Sequence, residues 1–320
     1  MTSNPKSSSI FLSGAEAVYM SLLTAVWLIY AYLSFQTPAP NTLMRYHITL
    51  TQLKFLRISV MLPMLVIWFA ILYATLKVWH YSKTIQESLD GHGFALLARG
   101  FFIFLVASVA SSFLSLIIQL NSNPVATMNA STLRIFNTYL NIILNFIGYL
   151  FIFLGSGKFI TLTKTELMRK KNNRYGYAIV ALAAAIYAIL LFNNPLRTVS
   201  PNPLSPPTYG VSDPLIVTTI MLPTIVTWLF GVLAISNLMI FRQNTKGIIY
   251  KKALKNFYIG FILVVSLVIV LSFLTQFSAF WASTGIKEIL VLVYVILGII
   301  IFGYLYIASG SYQLEQIETA

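Results

Sequence analysis

Asn137, Asn141 and Asn145 recur every four residues within an apolar run, which stacks three carboxamides on one face of a helix. The preceding run carries Ser108, Ser112, Ser115 and Gln119, again along one face. Amides and hydroxyls are uncharged donors and acceptors, and in hydrocarbon each must find a partner. Two arrangements satisfy that demand. The side chains can pair across neighbouring helices, contributing about 0.6–2 kcal/mol each, or line a water-accessible pocket, open to the outside, for a neutral polar ligand. Ala107, Ser111 and Ser115, small residues at a spacing of four, favour pairing because they permit close helix approach. The candidate ligand-binding set is Asn137, Asn141, Asn145, Ser108, Ser112 and Gln119.

Chemistry that needs charge or a soft ligand has little to work with. The acidic residues Glu16, Glu87, Asp90, Glu166, Asp213, Glu288, Glu315 and Glu318 all fall near the ends of apolar runs or between them. None is placed where a proton or sodium relay across a membrane would need it. His47 is expected on one side of the membrane and His80 and His92 on the other, so the three cannot converge on a metal or a haem. Glu87, Asp90 and His92 read as a solvated loop rather than an acid–base cluster. Cysteine is absent, which removes disulfides, thiolate nucleophiles and Cys-ligated centres. "GSGK" at 155–158 lacks the spacing and the preceding strand of a phosphate loop, and is expected to end its helix, as "SGS" does at 309–311. No enzyme activity, cofactor or metal is expected.

The elements that must position these residues are membrane helices. Of the 320 residues 58% are hydrophobic and only 9% charged, and a mean hydropathy of +0.81 exceeds what soluble cores can bury. Apolar runs of bilayer-spanning length cover roughly 15–35, 55–78, 97–120, 134–156, 176–193, 214–241, 256–280 and 286–310. They are continuously apolar rather than alternating, so they predict helices and not a barrel. The polar opening "MTSNPKSSSI" gives no cleavable signal, and the first span would act as its own anchor.

The spans repeat. "MLPMLVIW" at 61–68 returns as "MLPTIVTW" at 221–228, a shift of 160 residues that also aligns Ala74 with Ala234 and Gly100-Phe101 with Gly260-Phe261. "GYLFIFLGS" (148–156) returns as "GYLYIASGS" (303–311) at a shift of 155, and Ile29-Tyr30-Ala31 meets Ile186-Tyr187-Ala188 at 157. All four spans of the first half thus recur in order. Four is even, so the second copy enters from the same side as the first. The expected fold is an all-α polytopic membrane protein of eight transmembrane helices, two parallel four-helix repeats (residues 1–160 and 161–320) related by a pseudo-two-fold along the membrane normal. Pro63 and Pro223 each leave a carbonyl one turn earlier without its donor, bending their helices as packing kinks or as a cavity wall. The Asn stripe is confined to the first copy, for the residues aligned with it are Leu292, Ile296 and Ile300.

The net charge of +13 is an orientation signal. With eight spans, one side holds both termini and about fifteen of the 21 basic residues, which makes it cytoplasmic. Lys164, Arg169, Lys170 and Lys171 lie in the loop after span four, and Arg242, Lys251 and Lys252 in the loop after span six, where they are candidates for contact with a partner or with anionic lipid. No aromatic-interleaved basic face points to nucleic acid. The proline-dense segment 194–214 reads as a stiff outer cover, and Asn129-Ala-Ser131 matches a glycosylation acceptor. The expected role is a non-enzymatic subunit or scaffold of a membrane complex in the cytoplasmic membrane, packed against lipid and partner proteins. The alternative is a channel or uniporter for a neutral polar solute, with a cavity between spans three and four.

Overall fold

The structure, a computed structural model, describes residues 14–36, 49–85, 89–120, 127–161, 214–245, 247–276 and 286–319, together with Ala178, Leu182 and Ala185. All regular structure among them is helical. The seven helices are α1 (Gly14–Gln36), α2 (Leu50–Thr84), α3 (Leu89–Leu120), α4 (Thr127–Thr161), α5 (Pro214–Asn244), α6 (Ile248–Gln276) and α7 (Ile286–Thr319). Six of them are long and apolar enough to cross a membrane, and the protein is membrane-embedded. The span expected at 176–193 lies outside the described residues apart from three helical positions.

Several helices outrun the apolar stretches that predict them. α2 and α4 have 35 residues each, about 52 Å at 1.5 Å per residue, against about 30 Å of hydrocarbon. Hydropathy measures the lipid-immersed part of a helix, and polar flanks continue the same backbone. Lys251, Lys252 and Lys255 therefore sit on the first turns of α6 rather than in a loop. α5 ends at Asn244 and α6 begins at Ile248, preceded by Gly247 with φ of +99°, a conformation that favours glycine. Asp90 and His92 likewise belong to the first turn of α3, not to a loop; Glu87 lies outside the described residues.

"GSGK" and "SGS" do not end their helices, which run on to Thr161 and Thr319. Their glycines serve helix contact instead. A Cβ on Gly155 would stand 2.7 Å from the Gly93 carbonyl of α3, and one on Gly310 would stand 2.9 Å from the Ala253 carbonyl of α6. The serines beside them, Ser156 and Ser311, are fully buried and return their hydroxyls to the carbonyls of Phe153 and Ile307.

Helices α2 to α7 form a closed ring in chain order, α7 packing back on α2, while α1 lies outside against α2. Aromatic side chains fill the ring. α3 and α6, opposite members, meet through Phe94 and Phe257 (ring centroids 5.5 Å apart) and through Phe101 and Phe261 (6.3 Å). Phe101 also packs edge-on against Tyr304 of α7 at 5.9 Å. Phe94 further contacts Tyr81 and Phe159, and Phe159 stacks on Phe241 of α5. Tyr81, Phe94, Phe159, Phe241 and Phe257 lie toward one end, the base, where α1, α3 and α6 begin and α2, α4, α5 and α7 end, and Phe101, Phe261 and Tyr304 stand further along the helices.

Pro63 lies inside α2. Lacking an N–H, it cannot donate to the carbonyl of Ser59 one turn earlier, and the Tyr294 hydroxyl of α7 donates to that oxygen at 2.6 Å. α1 is fastened along α2 at three levels. The Trp27 indole N–H donates to the Met61 carbonyl at 3.2 Å, Arg57 donates to the Ser34 carbonyl at 2.6 Å, and Lys77 Nζ lies 3.0 Å from Glu16 Oε1.

Candidate functional site

The polar stripe is a seam that joins three helices. Asn141 Nδ2 donates to Ser111 Oγ at 2.7 Å and, more weakly, to Asn137 Oδ1 at 3.4 Å; Asn137 Nδ2 donates to Ser115 Oγ at 3.4 Å. The amides of α4 and the hydroxyls of α3 therefore meet at matching depths. Ser108 and Ser112 turn instead toward α2. Ser108 Oγ accepts from the indole of the fully buried Trp68 at 2.9 Å. Ser112 donates to the Ser108 carbonyl at 2.7 Å and approaches Met64 Sδ at 3.8 Å.

The expected single face of α3 thus divides between two neighbours, because three residues advance a helix by about 300° and set Ser108 and Ser111 apart by about 60°. Ser111, read from the sequence only as a small residue permitting close approach, is the shortest hydrogen-bond partner of the amide seam. Asn145 is half-buried one turn deeper, and the side chain of Gln119 lies outside the described residues. Close approach of α3 and α4 is enforced at Gly100 and Gly148, where a Cβ on Gly100 would stand 2.8 Å from the Gly148 carbonyl.

Replacing Asn141 by Leu removes two of these bonds and is expected to lower stability by about 1–2 kcal/mol. The thermal midpoint of the purified protein in mild detergent reads that loss. An unchanged midpoint would show that the amide does not hold α3 to α4.

The basic candidates fall into two groups. Lys164, Arg169, Lys170 and Lys171 lie outside the described residues. Arg242, at the end of α5, stacks its guanidinium over Tyr258 of α6 at 5.8 Å, whereas Lys251 and Lys252 are exposed on α6. His80 and His92 are exposed at the base, and no three His, Asp or Glu side chains gather among the described residues.

Two features escaped sequence reading. Glu16, expected near a helix end, is indeed in the first turn of α1 yet is only 2% exposed and paired with Lys77. A cavity of about 500 Å³ opens beside it between α1, α2 and α3. A basic residue one position before the end of the apolar run 55–78 was the only signal for the first; the second needs the packing of α1, which hydropathy does not reveal. No protein-family model, curated protein or solved structure matches the chain.

Proposed function

We propose that this chain is a non-enzymatic integral subunit or scaffold of a membrane complex, built of eight helices as two parallel repeats (residues 1–160 and 161–320), with both termini at the cytoplasmic face of the cytoplasmic membrane. The observation that carries the reading is the ring interior, occupied by Phe94, Phe101, Phe257 and Phe261 from opposite helices. Their side chains stand across the ring axis, which weighs against a solute path there. What remains for recognition is the outer face and the helix ends that project past the hydrocarbon, including exposed Lys251 and Lys252. The α3–α4 seam supports the same reading, since Ser111 and Ser115 take up its amides.

Duplication is supported by the order of contacts, in which α2, α3 and α4 pack successively and α5, α6 and α7 do the same, each trio closing on the next. The close glycine approach of α3 to α4 at Gly100 and Gly148 has a counterpart at Gly260 and Gly303, offset by 160 and 155 residues. Tyr294 likewise recurs in the sequence as Tyr139, 155 residues earlier.

Purification in mild detergent at native abundance tests the function. Stoichiometric co-purifying membrane proteins are the expected result. A lone particle that passes neutral solutes when reconstituted in liposomes would overturn the subunit reading in favour of transport.

A further inference from the structure

α1 packs along α2 but barely touches α3, and the space left between them at the base is the cavity of about 500 Å³. Its wall is mostly apolar, with Leu72 and Leu76 of α2 and Phe102 of α3 among the lining side chains. At its rim stand three basic residues, His80 and Lys83 on the last turns of α2 and Arg99 on α3, all exposed. Lys83 lies 5.8 Å above the Trp79 ring, an indole of the kind that settles at headgroup depth. The one acid in the wall, Glu16, is buried and offset by Lys77.

A groove open sideways between membrane helices is filled by whatever the bilayer supplies, and an acyl chain is the apolar body at hand. The rim then decides which headgroup is held there. Basic pockets between helices at a membrane face select anionic headgroups, and the volume lies in the range of small-molecule sites.

We propose that this groove is a binding site for one anionic phospholipid, its acyl chain along Leu72, Leu76 and Phe102 and its phosphate within the reach of His80, Lys83 and Arg99. The site is separate from the Lys251 and Lys252 face of α6. It rests only on the bundle lying in a bilayer, and stands or falls apart from the subunit reading.

Native mass spectrometry of the full chain in mild detergent, titrated with phosphatidylglycerol or phosphatidylcholine, tests it. Wild type is expected to retain one phosphatidylglycerol in clear preference to phosphatidylcholine. K83Q/R99Q is expected to weaken that binding about thirtyfold, at about 1 kcal/mol per basic residue. K251Q/K252Q leaves it unchanged, and L76W, which fills the groove without touching charge, weakens both lipids alike. Free glycerol phosphate does not displace the lipid. Equal retention of the two lipids by wild type overturns the proposal whatever the variants do, as does wild-type affinity in a folded K83Q/R99Q. Full displacement by glycerol phosphate overturns it too, because the tail groove would then contribute nothing.

Discussion

Lys77→Met is expected to destabilise the bundle by about 3–5 kcal/mol, and Glu16→Gln combined with it to recover most of that loss. Glu16 is 2% exposed, and Lys77 Nζ lies 3.0 Å from its Oε1. Removing one member of a buried pair takes away the opposite charge that offsets the other's desolvation, and that desolvation dominates the cost. Replacing both removes attraction and penalty together. Lys77 also stands 5.4 Å from the Tyr73 ring and 5.8 Å from the Tyr312 ring, so the single change loosens the joint of α1, α2 and α7. Denaturant titration of both variants in mixed micelles reads the cycle. A single variant within 1 kcal/mol of wild type would falsify the view that this pair anchors α1.

Gly260→Val should be comparably damaging, costing about 3 kcal/mol or more. A Cβ on Gly260 would run into the Gly303 carbonyl and stand 2.7 Å from the Ile307 backbone nitrogen. Backbone atoms cannot rotate aside as a side-chain tip can, so α6 and α7 must separate along their length. That places the variant at or beyond the upper end of overpacking losses. Gly100→Val should lose a similar amount, since its Cβ meets Gly148 in the same way. Gly298 is the internal control, because nothing among the described residues lies within 4 Å of a Cβ there. Gly298→Ala should be neutral or stabilise by up to about 1 kcal/mol. The yield of monodisperse protein and its thermal midpoint discriminate; a Gly260→Val protein as stable as wild type would mean that α6 and α7 do not touch through their backbones.

Much of the helix layout was legible because lipid leaves the backbone few options, and twenty apolar residues in a row announce a spanning helix. The ends were not, because Lys251 or Asp90 is as compatible with a helical turn in water as with a loop. The Asn stripe on α4 could be read from its spacing, and its meeting with α3 follows from depth. That Ser108 and Ser112 serve Trp68 and Met64 could not, because a shift of about 60° around α3 decides between two neighbours and apolar positions on every side leave its rotation unmarked. Glycines posed the same ambiguity. "GSGK" has the composition of a helix terminus, and only the proximity of Gly93 makes Gly155 a contact residue.

The bond from Tyr294 to the Ser59 carbonyl, to which Pro63 cannot donate, joins residues 235 positions apart. During synthesis α2 is therefore made long before its latch. At about 5–20 residues per second the ribosome needs roughly 10–50 s to reach that tyrosine, and for this interval α2 stands without its tie to α7. Closure of the ring is thus reserved for the arrival of the final helix.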